Sequence, residues 1–487
     1  MGQIKGGISI DSLELTRSLA GNLAAMRALF QNDNTFVTRE TQSPAGLHCA
    51  VFFLDGMVNN LAINQSIIRP LVCSTLPKAD ADTLARTVIQ INDSKIVPDV
   101  SQMLSALLYG DTVILTEGDA RPVVVNTKGF SVRSATEPDN ERVLRGPREG
   151  FTEAFMPNLA LIRRRVNDPR LKFSFSRRAG RTNTVVCLCY LEGVAPPELI
   201  EEARRRLDKL SLDGILDANY LSETIRDGRF TPFPTLGTTE RPDVVAAKLL
   251  EGRLAILVDG TPVALTAPCI LQECVQSCDD YYLPTSQAGL ARVLRSIGFL
   301  LSLAVPAFYV ALLYYHAELF PTRMLLAIAA AQKGVPLPPL WEIFALLIVF
   351  EILKEAGTRT PGVIGSTMSI VGGLVLGQSA VTARLISAPA VIIVAVAAVT
   401  GLAAPKLQAA ALPLRFLLLL AAAFFGLYGL VFGLALILLH LCALRSFGTP
   451  YLLNLLPRVH AHTEDRWWRV SWKKMHSRRF LARKDKT

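Results

Sequence analysis

The stretch that decides the reading runs from Leu340 to Val381, LWEIFALLIVFEILKEAGTRTPGVIGSTMSIVGGLVLGQSAV. It is apolar enough for a bilayer, yet Glu351, Lys354 and Glu355 fall within little more than one helical turn. Pro338-Pro339 opens a helix and Gly357 is placed to close it, a Pro start and a Gly stop. From Pro339 to Ala356 such a helix is roughly 27 Å long at about 1.5 Å per residue, near the hydrocarbon thickness of a membrane. A charge at mid-bilayer costs about 2.5–3.5 kcal/mol on insertion scales, so these side chains require water or protein partners. Glu351 and Glu355 share a face, and Lys354 can pair with either. Glu342 suits the positive first turn of the helix and points away from Glu351. Two readings stand for Glu351, Lys354 and Glu355: an ion pair that fixes helix packing, and a pore-lining or gating face.

Beyond the turn at Arg359-Thr360-Pro361-Gly362, Gly365, Ser369, Gly373 and Gly377 recur every four residues. That is a small-xxx-small ridge, a device first of all for close helix packing in lipid.

The 487 residues allow two to four domains, and the chain is lopsided. Up to about residue 290 charges are spread throughout, whereas 296–457 is a series of apolar runs. The start, MGQIKGGISIDSLELTRSLAGNLAAM, lacks the continuous apolar core of a signal peptide, and Met1-Gly2 lacks the Ser/Thr of a myristoylation signal. The N-terminal part is therefore expected to stay in the cytoplasm. The tail 458–487 carries ten Lys/Arg against three acids, a net +7 of the chain's +10. Beside membrane spans this reads as cytoplasmic and lipid-facing, with Trp467, Trp468 and Trp472 as headgroup anchors rather than a nucleic-acid surface.

The soluble half repeats a pattern. CAVFFLDG at 49–56 is a buried-strand run ended by Asp-Gly, and DTVILTEGDARPVVVNT at 111–127 is a hairpin turning at Glu117-Gly118-Asp119. VVCLCYLEG at 185–193 and the hairpin RLAILVDGTPVALTAP at 253–268 repeat that order, with intervals of 62 and 67 residues from acid to acid. One α/β unit used twice is the natural reading. In VVCLCYL, period two puts Cys187 and Cys189 on one face, and helices are expected near 80–91, 98–109 and 196–210. The segment QNDNTFVTRETQSPAG at 31–46 reads as a polar break.

Between the lobes lies LRGPREGFTEAFMPNLALIRRRVNDPRLKF at 144–173, with Thr152 as a plausible N-cap and Pro157 as an expected interruption. Arg163, Arg164 and Arg165 are consecutive, so on a helix they must spread around it. The eight cysteines match no zinc spacing and read as reduced thiols. No phosphate loop, metal cluster or nucleophile–base pair is visible, which disfavours an enzyme, a metal site and a cofactor.

The architecture expected is thus an α/β bilobed cytoplasmic domain of two similar small lobes, followed by an all-α polytopic membrane domain. Boundaries fall at an N-terminal helical segment 1–45, a first lobe 46–140, a connecting helix 141–180 and a second lobe 181–290. A membrane domain 291–457 and the basic tail 458–487 complete the chain. Strong spans are 296–315, 339–356, 365–381, 385–404 and 414–444, with 320–338 re-entrant or interfacial. The last is too long for an upright span and is expected to tilt or protrude. With both ends cytoplasmic the number of crossings must be even, and the sequence leaves open how.

Three blocks, RGPREGFTEAFMPNLALIRRRVNDPRLK, FPTRMLLAIAAAQKGVPLPPLWEIFALLIVFEILKEAG and PGVIGSTMSIVGGLVLGQSAV, with the tail SWKKMHSRRF, closely resemble the GerA family of spore germination proteins. The resemblance runs from about residue 45 to the end. It implies the A subunit of a nutrient germinant receptor, or the related spore channel protein, in the spore inner membrane. It further implies a homo-oligomeric, pentameric ring that conducts ions, working with a transporter-like B subunit and a lipoprotein C subunit. Carried over by residue, Gly146, Pro147, Arg148, Glu149, Gly150, Phe151, Asn158 and Arg163–Arg165 match the soluble signature, as coupling or subunit contacts. Glu351, Lys354, Glu355 and the Gly365–Gly377 ridge match the membrane signature. A secondary transporter and a non-conducting scaffold remain alternatives.

Overall fold

The computed structural model describes residues 14–129, 141, 143, 145–228, 230–359, 373, 375, 377–453 and 468–471. Two five-stranded antiparallel sheets form the N-terminal half, one with strand order β1-β2-β4-β5-β3 and the other β6-β7-β9-β10-β8. The first contains β1 Phe36–Gln42, β2 His48–Leu54, β3 Ser94–Ile96, β4 Thr112–Thr116 and β5 Val123–Val125. The second contains β6 Leu171–Arg178, β7 Thr184–Leu191, β8 Gly237–Thr239, β9 Leu254–Val258 and β10 Ala264–Ala267. The two orders are the same, so the repeat inferred from spacing is a repeat of topology.

Each sheet is covered on both faces, which is why its central strands are continuously apolar. In β2, Ala50, Phe52 and Leu54 pack against helices α1 (Leu19–Leu29) and α2 (Val100–Leu108). Val51 and Phe53 face the helical segments 60–72 and 81–88. In β7, Cys187, Cys189 and Leu191 face α3 (Phe155–Arg165). Val186, Leu188 and Tyr190 face α4 (Pro197–Asp208) and α5 (Ala218–Ile225), and α6 (Pro242–Leu250) joins α3 on the first face. Cys187 and Cys189 do share a face, with sulfurs 3.5 Å apart.

The edge strands differ from expectation. β1, FVTRETQ, lies in the segment read as a polar break, and β6 begins inside the expected connecting helix. Edge strands expose one side and tolerate polar residues, so hydropathy does not reveal them. The helix preceding each sheet is also part of the repeat. Asn22 accepts from the Thr16 N–H at 2.8 Å and donates to the Thr16 carbonyl; Asn158 does the same with Thr152, also at 2.8 Å for the first bond. Gly118 donates to Arg17 O and Gly260 to Glu153 O, tying each hairpin turn to the lead-in of its helix. Thr152 is therefore not the N-cap: Ala154 is, and Pro157 sits in the first turn, where no backbone donor is missed.

The C-terminal half is helical and apolar: α7 (Thr285–Tyr315), α8 (Thr322–Gln332), α9 (Pro339–Arg359), α10 (Ala388–Leu402) and α11 (Gln408–Ala443). Thr285–Tyr315 and Pro405–Ala443 are long and apolar enough to cross a membrane. The helix α9 continues through Gly357 to Arg359, so that glycine is not a stop. Of the small-residue stretch, Gly373, Val375 and 377–382 are helical, while Gly365 and Ser369 lie outside the described residues.

The last apolar run is not one straight helix; it folds back. Gly426 leaves the helical region with φ 60° and ψ −143°, a conformation open to glycine alone. A straight helix would hold Leu418 and Gly433 about 22 Å apart, whereas a Cβ on Gly433 would lie 2.6 Å from the Leu418 side chain. The arms 408–425 and 427–443 are thus antiparallel, with Tyr315 Oη donating to Ala423 O and Phe424 O at the bend. Their free ends, Leu407 and Leu441, return to the second lobe beside Phe233, Cys269 and Tyr451.

That lobe is joined to the helices by charge as well. Asp280, fully buried, accepts from Arg292 and Arg295 at 2.9 Å each, at the start of α7. Lys406 lies 3.1 Å from Glu141, and Ser446 donates to Thr235 O at 2.6 Å. Burial alone would raise the nearby Glu273 carboxyl, yet Arg253 and Lys248 hold it at about 2. Of the tail, Trp468 packs on Gly289, where a Cβ would meet the indole at 2.6 Å, and Arg469 donates to Leu283 O.

Candidate functional site

Four helices of the apolar bundle converge on one ionic cluster. Helix α9 presents Glu351 and, one turn on, Lys354, whose Nζ is 2.6 Å from Glu351 Oε2. The other oxygen, Oε1, lies 3.7 Å from Nη1 of Arg415 on the first arm of α11. Arg415 Nε donates to Ser302 O on α7 at 2.9 Å, and Gly401 of α10 leaves room for the guanidinium, whose Nη2 lies 3.4 Å from where a Cβ would sit. Two cations thus share one carboxylate, a local charge of +1. Arg415 is 4% exposed, Glu351 20% and Lys354 32%, so the cluster runs from a buried guanidinium to a half-open ammonium on the bundle surface.

Glu355 does not join it. It pairs with Arg359 at 2.6 Å, both largely exposed, on the outer face of α9. Glu342 is fully buried and accepts the backbone N–H of Ser387, so it caps the start of α10 rather than merely its own helix. Arg415 carries the junction and escaped the sequence reading. The signal was present: it is the one Lys, Arg, Asp or Glu between Lys406 and Arg445, and a lone arginine in so long an apolar run demands an acidic partner.

At the described end of the ridge nothing among the described residues lies within 4 Å of a Cβ on Gly373, and Val391 of α10 reaches 4.0 Å from one on Gly377.

In the N-terminal half the three consecutive arginines divide between two carboxylates, Asp33 for Arg163 and Glu149 for Arg164 and Arg165. Arg163, 1% exposed, reaches Asp33 at 2.6 Å and Thr35 at 3.2 Å in the first lobe, and lies 4.6 Å over the Phe173 ring. Arg165 holds Glu149 at 2.6 Å, with Arg164 3.5 Å from the same carboxylate. Pro147 O accepts from Arg241 at 2.7 Å, Phe151 N–H donates to Glu240 O, and Gly146, at φ 121°, lies flat against Tyr282. Gly150 is buried and Arg148 exposed. Lys172, buried on β6, donates to Leu29 O at 2.6 Å, placing a cation on the C-terminal carbonyls of α1; burial lowers its pKa, with Glu192 opposing. The signature residues thus fix the second lobe to the first and brace the loop that enters it.

The family model of the Bacillus/Clostridium GerA spore germination protein matches residues 24–480. The chain is 38% identical to spore germination protein KA of Bacillus subtilis, over 94% of this chain and 85% of that protein. It is 36% identical to YfkQ, an uncharacterized membrane protein of the same organism, over 94% and 90%. The crystal structure of the N-terminal domain of the A subunit of the Bacillus megaterium spore germinant receptor GerK3 aligns at TM-score 0.40. It is 30% identical and covers 53% of this chain and 98% of that one. This chain belongs to the GerA family of spore germination proteins.

Proposed function

We propose that the chain is the membrane-embedded A subunit of a spore germinant receptor and that copies of it assemble around a water-filled ion path. One observation carries the reading: Lys354 and Glu351 reach the outer surface of an apolar bundle at 32% and 20% exposure. Lipid cannot accept them there, so water or a second copy must face them. Among the described residues nothing lies within 4 Å of a Cβ on Gly373, which leaves a surface at which a second backbone can approach closely. In this reading a B-type transporter-like subunit and a lipoprotein C subunit complete the receptor. Folding back at Gly426 divides the last run into two crossings. With α7, α9, α10 and the apolar run expected from the sequence at 365–381 this makes six, an even number that keeps lobes and tail on the cytoplasmic side, while α8 lies along the opposite surface. The loop 146–151 and Arg163–Arg165 then act as the coupling elements, with exposed Arg148 free to meet a neighbour.

Lys354→Gln tests the path, because it removes the most exposed charge and leaves Arg415 with Glu351. Spores carrying it are expected to release potassium at a changed rate on germinant addition, with normal protein levels. Unchanged release would remove the pore assignment and favour a non-conducting scaffold. Gly373→Leu tests the assembly surface: the solubilised protein should fall to a lower mass in light scattering, and an intact complex would sink that assignment.

A further inference from the structure

Phe230, in a turn of the second lobe, is 100% exposed, whereas every other described phenylalanine of the N-terminal half is buried or half-buried. A ring left in water forgoes about 1.5–3 kcal/mol of burial. The turn that carries it is firmly held. Thr231 N–H donates to Gly228 O at 3.1 Å across the turn, and Gly228 has φ 69°. On either side the segment is bound to the chain at and beyond the end of α11. Thr231 Oγ1 lies 2.9 Å from His440 Nε2, and Phe447 N–H donates to the Asp227 carboxylate at 2.6 Å. Tyr451 Oη donates to Pro234 O at 2.9 Å, and a Cβ on Gly228 would lie 3.2 Å from the Leu444 side chain. The turn is thereby fixed beside the last turn of α11.

That is where the surface of the helix changes character. Leu438 and Leu439 are exposed and apolar, and Arg445, just past the helix, is an exposed cation. For a helix that crosses a membrane, exposed leucines giving way to an exposed arginine mark the headgroup level. We infer that the turn 228–231 sets the Phe230 ring into the boundary between headgroups and acyl chains, so that the second lobe rests on the lipid surface. An aromatic ring suits that depth, and Arg445, with Arg229 next to the ring in the sequence, suits anionic headgroups. The ring adds a lipid contact to the protein contacts around His440 and Leu444, so the lobe can rock away from the bilayer only by withdrawing it. This inference rests on the reading of α11 as membrane-crossing and is independent of the ion path.

Nitroxide labels on the full-length protein in phospholipid vesicles test it, with the accessible Cys73, Cys278 and Cys442 replaced by serine. Phe230→Cys, Val431→Cys on the second arm of α11 and Leu61→Cys on the first lobe each place the label at an exposed position. Power saturation compares collisions with oxygen, which enters lipid, and with a nickel chelate, which stays in water. The oxygen-to-nickel ratio at 230 should exceed that at 61 several-fold and stay below that at 431. A ratio at 230 equal to that at 61, with 431 in lipid, would overturn the lipid contact and leave the crossing intact. A ratio at 431 as low as that at 61 would remove the crossing, and the contact with it. Shielding of position 230 from both reagents would mean that a protein subunit covers the ring, which overturns the lipid assignment. If the labelled protein does not assemble, Phe230→Trp in the otherwise native chain serves. Brominated acyl chains should quench its fluorescence by a larger fraction than that of the native chain, and equal quenching would overturn the contact.

Discussion

With Arg163 replaced by Met, the two lobes are expected to lose about 3–5 kcal/mol of mutual stabilisation, because Asp33 is left buried and unpaired. The pair is closed to water on both sides, at 1% and 0% side-chain exposure, so no screening discount applies. Thr35 and the Phe173 ring lose the guanidinium at the same time. The double variant Arg163→Met with Asp33→Asn should recover much of the loss, since it removes both charges together. Thermal unfolding followed by circular dichroism, on the full chain, measures the difference. A double variant no more stable than Arg163→Met would mean that the guanidinium matters for packing rather than for charge.

The second large effect concerns Glu351. Its removal by Ala leaves Arg415 and Lys354 with no anion, two like charges beside an apolar core. Loss of bundle stability of about 3–5 kcal/mol is the expected scale for stripping one partner from a buried pair. Arg415→Leu should be milder, because Glu351 keeps Lys354 and the group removed is the excess charge. The pair Glu351→Ala and Arg415→Leu should be more stable than Glu351→Ala alone. Yield of monodisperse protein after heating in detergent orders the three variants. If Glu351→Ala proves the mildest, the junction is not organised by charge.

Hydropathy exposed what is apolar on both sides. The central strands β2, β4, β7 and β9 end in acid-Gly turns and were legible, as was their twofold use. β1 and β6 were hidden because polar and charged residues interrupt their apolar ones, and nothing in FVTRETQ distinguishes an edge strand from a loop. The ionic cluster was half legible: spacing along α9 joins Glu351 to Lys354, but only tertiary structure brings Arg415, some sixty positions on, to the same carboxylate. Glu355 followed its own helix instead, because Arg359 lies four residues ahead and closer to water. Gly426 was invisible for another reason. A glycine inside a long apolar run reads as helix packing, and the reversal shows only when Leu418 and Gly433 meet.

That reversal makes the chain's last hydrophobic stretch a loop with an inside and an outside. Phe424, Phe425 and Tyr428, at its apex, are 69%, 68% and 81% exposed. In a sealed vesicle a cysteine at position 428 would answer to an impermeant thiol reagent from one compartment, and one at Leu407 or Arg445 from the other. The orientation of the whole receptor could be read from that single bend.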